Sequence, residues 1–223
     1  MTGLIPQLFL YGLAAAAAAP IAAVVSALIL GKSKTPLPSA FTFVAGAALL
    51  DVVVAVVFFV LVAAAIQGND DLGAYLDILL GVIFAGLGVY AIFEKDTPEK
   101  DAAQRARMEQ IASGGAKTLI VAGLAVQVIN FDAIAVAIGG LKEIVEASLA
   151  SVETLIATIF LFILVLLPYW VPAAFYAFAP QRASILLGRM SEWIMTNSRM
   201  LEIVVGFAFG AAFLFKGITA LTA

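Results

Sequence analysis

Cysteine and histidine are both absent from this 223-residue chain. Their absence excludes disulfides, thiol chemistry and metal sites built on thiolate or imidazole. Charge is scarce too: 12% of the residues are Asp, Glu, Lys or Arg, against about 25% in soluble domains. No lysine or arginine precedes Lys32. The N-terminal stretch therefore lacks the basic start of a cleavable signal peptide and reads as a first apolar helix. No nucleophile–base arrangement is visible, so no enzyme, cofactor or nucleic-acid partner is expected. What fills the chain instead is hydrocarbon: 64% of residues are hydrophobic and mean hydropathy is +1.11. A soluble core of this size cannot absorb that excess, which is surface for a lipid bilayer. A membrane-spanning helix needs about 20 apolar residues, so six spans fit and little remains outside them. The expected class is an all-α integral membrane protein with six transmembrane helices.

The stretch Lys117 to Lys142 organises the rest. It is long enough to cross a bilayer as one helix, yet its middle carries Gln127, Asn130 and Asp132. A carboxylate at bilayer depth costs several kcal/mol unless it is protonated, paired or hydrated. Asp51, midway along a second span from about Ser39 to Ile66, poses the same problem with no basic residue nearby. The first span, about Leu4 to Leu30, has a run of small residues closed by Pro20. A proline there removes a backbone bond and kinks or breaks the helix. Either the kink only packs small residues, or the freed backbone groups line a site, as in transporters with discontinuous helices. Span three runs from about Leu72 to Phe93, with glycines that suit close helix packing. Span five, about Ser151 to Ala179, is interrupted by Pro168 and Pro172 among Tyr169, Trp170, Phe175 and Tyr176; either these aromatics form an interfacial belt, or the prolines open the backbone near a cavity. The Gln181–Arg199 segment is amphipathic, with Leu186, Met190 and Trp193 on one stripe. Arg182, Arg189 and Arg199 there suit contact with anionic lipid headgroups. Span six, about Met200 to Leu221, contains Gly206 and Gly210 at a spacing that permits a homodimer, and Lys216, placed to snorkel outward.

Two patterns give the domain plan. Lys32, Lys34, Lys95, Lys100, Arg105, Arg107, Lys117, Arg182, Arg189 and Arg199 fall in turns on one side, and Lys142 and Lys216 on the other. The positive-inside rule makes the richer side cytoplasmic and puts both termini outside. Leu76-Asp-Ile-Leu-Leu-Gly also recurs as Leu201-Glu-Ile-Val-Val-Gly, and Gly12-Leu-Ala as Gly123-Leu-Ala. The expected plan is therefore a first three-helix repeat over 1–93, a cytoplasmic linker with a short helix over 94–116, and a second, inverted repeat over 117–223. Inverted repeats place their substrate site near the midplane. At the offset of the second pair of matches, Ala19-Pro20-Ile21 falls opposite Asn130-Phe131-Asp132.

The small-residue run ending in Pro20, the segment AGLAVQVINFDAIAVAIGG from Ala122 to Gly140, and SEWIMTNSRMLEIVVGFAFGAAFLFKGI from Ser191 to Ile218 resemble the LysE superfamily of six-span exporters. Within it the chain most resembles the peptidoglycolipid-addressing protein family of bacterial cell-envelope proteins. The resemblance implies movement of glycolipids to the cell surface from a bacterial plasma (inner) membrane; the wider superfamily exports amino acids and metal cations. Many relatives carry an asparagine–proline pair in span four, where Asn130 here is followed by Phe131-Asp132. That run is similar to the manganese and cadmium exporter branches, but span one has no matching acid.

Three functions follow as expectations. The first is a secondary exporter of a glycolipid or its precursor, with Asp51 and Asp132 exchanging a proton and Gln127, Asn130 and the Pro20 break contacting the cargo. The second is export of a small solute, an amino acid or a divalent cation held by Asp51 and Asp132. The third is a membrane scaffold for envelope biosynthesis, docking through Arg182–Arg199; it leaves the buried acids unexplained.

Overall fold

A computed structural model describes residues 3–63, 65, 70–93 and 106–222, and these are helical throughout apart from turns. Two helices, α1 (Leu4–Ala17) and α2 (Pro20–Lys32), meet at a bend of 66°. The cause is local. Pro20 has no N–H to offer the carbonyl of Ala16, and it opens α2 from the first-turn position where that loss is harmless. Helix α3 (Pro36–Val57) continues through a π-helical turn at Phe58–Val62 without a sharp bend, and α4 spans Asp70–Phe93. A short helix, α5, covers 106–112 and stops at Ser113, whose hydroxyl donates to the carbonyls of Glu109 and Gln110. The expected helix start at Thr97-Pro98 and the linker charges from Glu94 to Arg105 lie outside the described residues.

The stretch Lys117–Lys142 does not form one helix, contrary to the sequence reading. It divides into α6 (Ala116–Ile129) and α7 (Phe131–Glu146), set at 74°. No proline is involved. Asn130 leaves the helical region (φ −81°, ψ 49°), ending α6 and starting α7. Asp132 Oδ1 then accepts from the Ala133 amide at 2.9 Å, and the Asn130 carbonyl accepts from the same amide at 3.0 Å. Short polar side chains that offer the backbone a local partner favour such breaks. The break falls where the sequence offset sets it opposite the break between α1 and α2: Ala19 and Asn130 are the non-helical residues, and Pro20 and Phe131 open the next helices.

Helices α8 (Ser151–Val165) and α9 (Leu167–Phe178) form a third bent pair, at 71° around Leu166, with Pro168 in the first turn of α9. The last helix, α10, runs unbroken over Pro180–Thr222. The amphipathic Gln181–Arg199 segment is therefore continuous with the apolar segment 199–222. At about 1.5 Å per residue such a helix far exceeds the roughly 30 Å of hydrocarbon in a bilayer. Ala183, Leu187, Ser191 and Ile194 are buried on one face, which packs toward α2 and α9, while Ile185, Leu186 and Trp193 stay exposed.

Segments 36–62, 71–93 and 199–222 are each long and apolar enough to cross a membrane alone, and each bent pair passes the same test when its two helices are taken together, as a broken span or a re-entrant loop. The protein is a multi-pass membrane protein. Small residues set its closest approaches. A Cβ at Gly46 would fall on the carbonyl oxygen of Ile120, and one at Gly123 on that of Phe43, so α3 and α6 touch backbone to backbone. Gly206 and Gly210 pack on Gly88, Phe84 and Ala85, which spends the glycine spacing of span six inside the chain, between α4 and α10.

Candidate functional site

Because α3 and α6 approach so closely, polar side chains about one helical turn beyond the contact meet: Gln127 is four residues past Gly123 and Asp51 five past Gly46. Asp51 Oδ1 accepts from Gln127 Nε2 at 2.6 Å. Gln127 Oε1 accepts from the Tyr169 hydroxyl at 2.6 Å, and that hydroxyl accepts from Asn130 Nδ2 at 3.4 Å. The four side chains thus form one buried line from α3 through α6 to α9. Tyr169 is held by the ring of Phe43, 5.3 Å away centre to centre, and its carbonyl accepts from Ser26 Oγ at 2.8 Å. Asp51 Oδ2 is buried and has no hydrogen-bond partner. Tyr169, which the sequence placed among interfacial aromatics, is instead the fully buried bridge of the network.

Asp51 also forms part of the wall of a groove of about 830 Å³ between α3 and α8. Val52, Val56 and Val60 face Leu155, Ile159 and Ile163 across it, and all six are about half exposed or more. Asp51 is the one ionisable side chain in this lining; Ser151, Thr154 and Thr158 add hydroxyls along one edge. A cavity of this size with apolar walls and few polar groups has the general character of a ligand site.

The two equivalent breaks meet elsewhere. Pro20, Asn130 and Asp132 share a cavity of about 330 Å³ with Tyr90 and Glu202. The structure therefore joins Asp51 to Gln127, and Asp132 to Pro20. It sets the two aspartates against different cavities, with Asn130 in contact with both arrangements. Glu202 was visible only as the repeat partner of Asp77 and was not read as a site residue. Arg182 and Arg189 are exposed. Arg199 is exposed as well, but its guanidinium donates to the carbonyls of Ala91, at 2.9 Å, and Ile92, closing the end of α4.

A second charged cluster escaped the sequence reading. Lys142, inside α7, is ion-paired with Asp77 of α4 and lies 3.3 Å from Glu146. Lys216 does not snorkel outward. It turns inward to Glu143 and lies 3.7 Å from Asp77, with the Tyr11 hydroxyl beside both. Asp77 and Lys142 are almost wholly buried, and Asp77 Oδ1 has no hydrogen-bond partner. The available signal was modest: acids and lysines of opposite sign at one depth, on the side with little charge.

Among the described residues no cluster of three or more acidic side chains is placed to hold a metal ion. Comparison with known proteins adds one finding. No curated protein and no solved structure matches the chain. Residues 9–219, almost the whole length, match the family model of Sap, the sulfolipid-1-addressing protein. Together with the helical membrane architecture, that match establishes that the chain belongs to the Sap, sulfolipid-1-addressing protein family.

Proposed function

We propose that the chain is a secondary exporter that moves a glycolipid, or its precursor, across a bacterial plasma membrane. The observation that carries this reading is the groove between α3 and α8. It is open at the surface of the helix bundle, walled by valine, leucine and isoleucine, and has a single buried carboxyl, Asp51, in its lining. An acyl chain entering it exchanges lipid contacts for protein contacts at little cost, while a polar head is offered Asp51 and the three hydroxyls. The family's name speaks of a sulfolipid, so a sulfated glycolipid and its neutral, unsulfated precursor are the substrate classes to test first.

Proton coupling belongs to this reading. One oxygen of Asp51 is fixed by Gln127, and the other is buried without a partner. Adding a proton there removes a charge that is costly at bilayer depth, so loading and release at Asp51 supply a means of driving the cycle. The matched breaks at Ala19 and Asn130 support two inverted three-helix repeats, which rock about their shared cavity in many secondary transporters. With the Lys32 end cytoplasmic, as the distribution of basic residues predicts, transport runs outward from it.

The test is mass spectrometry of surface-extractable lipids from a deletion strain complemented with wild type, Ala48→Phe or Thr154→Phe, both substitutions projecting into the groove. Wild type is expected to restore a missing glycolipid, and the two filled grooves to restore little of it. Full restoration by both, at wild-type protein levels, contradicts the groove as the lipid path. A second reading rests on the cavity of about 330 Å³, which suits a small solute beside Asp132 and Glu202 better than it suits a lipid. Under that reading the deletion strain keeps its surface lipids and accumulates an amino acid or a divalent cation.

A further inference from the structure

At the Lys32 end of the molecule lies a cavity of about 440 Å³ between α2, α5, α9 and the first part of α10. Neither the groove nor the cavity at the helix breaks includes it. Its apolar side is formed by Val24, Ala27, Leu28 and Leu187. Its polar side combines Ser191, Glu192, Tyr176 and the ion pair of Lys32 with Glu109, 2.8 Å apart. Ser191 is 8% exposed, and its hydroxyl is buried without a hydrogen-bond partner. A buried, unpaired polar group of this kind calls for a reason. Gly31 and Gly188 also line the cavity, and a Cβ at either would meet nothing within 4 Å.

We infer that this cavity binds the neutral, polyhydroxylated head of an amphiphile, a sugar head carrying an apolar chain. Charge and hydrogen bonding together select the class. An anionic head would face Glu109 and Glu192, and the buried Ser191 hydroxyl calls for a hydroxylated partner rather than an ammonium. A sugar ring carries both donors and acceptors. It can donate to the two carboxylates, accept from Lys32 or from Ser191, and lay its apolar face on Tyr176. The aliphatic wall then takes the first methylenes of the attached chain. The inference rests on the glycolipid reading and deepens it by naming a head-group site at the opposite side from the charged Lys142–Lys216 cluster.

The probe is n-octyl glucoside below its micelle concentration, compared with octyl phosphocholine. Each is titrated against the full chain in lipid nanodiscs, with bound ligand counted by native mass spectrometry. The wild-type protein is expected to retain the glucoside preferentially. Ser191→Ala removes one hydrogen bond, worth about 0.5–1.5 kcal/mol, and should weaken glucoside binding by about twofold to twelvefold. Gly188→Phe fills the cavity and should abolish the preference; because that position is exposed and open, the fold has room for the ring. Equal retention of the two probes by wild type, or an unchanged preference in both variants, overturns the inference. The cellular lipid assay reports separately: restored surface glycolipid with no glucoside preference removes this site and leaves the export reading standing. A deletion strain with normal surface lipids removes the export reading whatever the nanodiscs show.

Discussion

Among single residues, the clearest energetic stakes belong to the buried ions. Lys142 is the direct partner of a wholly buried Asp77, with Lys216 farther off at 3.7 Å. Removing one member of such a pair strands the other, at a cost of about 3–5 kcal/mol. Lys142→Met should therefore lower the melting temperature of the purified protein strongly, and Asp77→Leu in the same chain should recover most of the loss. A single mutant as stable as wild type contradicts the pairing. Tyr169→Phe tests the other network. It leaves Gln127 Oε1 buried without its donor, which costs about 1–3 kcal/mol, and thermal unfolding in detergent reads it directly. The sequence identified Asp51, Gln127, Asn130 and Asp132 because polar side chains are conspicuous in hydrocarbon. It did not identify Tyr169, whose chemistry suits an interface equally well, nor Asp77 and Lys142, which stand near the ends of apparent spans. Burial of a span end depends on neighbouring helices, and a single sequence does not show them.

Among the elements, the three bent pairs decide where backbone and polar side chains become available. The break at Pro20 was legible because proline acts through its own covalent structure. The break at Asn130 was not: it arises from a non-helical Asn130 and local bonding around Asp132, in a stretch whose composition reads as one continuous helix. The length of α10 was hidden for a related reason. Its first part is charged and its second apolar, yet one helix carries both, since Ala183, Leu187 and Ile194 find a packing surface on the bundle. Glycine contacts between α3 and α6 hold Asp51 to Gln127. Gly123→Leu forces these helices apart, and overpacking of this kind costs about 1–3 kcal/mol. Even the single methyl of Gly123→Ala would fall on the Phe43 carbonyl oxygen, so both variants should melt below wild type in detergent. A Gly123→Leu variant as stable as wild type contradicts the contact.

For the whole molecule, the family membership and the architecture point the same way. A multi-pass helical protein of the Sap family carries an apolar lateral groove, a buried carboxyl in that groove, and discontinuous helices that meet at a polar cavity. The hydrophobic excess made the membrane class legible from composition alone. The groove was invisible in the sequence, since valine and isoleucine on lipid-facing helices look the same whether or not a gap lies between them. The central claim is that this gap carries a glycolipid, driven through Asp51. Its most direct test is reconstitution of the purified chain into vesicles containing a fluorescent glycolipid, with leaflet transfer followed by quenching while a proton gradient is applied. The account predicts transfer above that of protein-free vesicles, accelerated by the gradient in wild type and insensitive to it in Asp51→Asn. Transfer no faster than in protein-free vesicles, or an Asp51→Asn variant that answers to the gradient as wild type does, would contradict it.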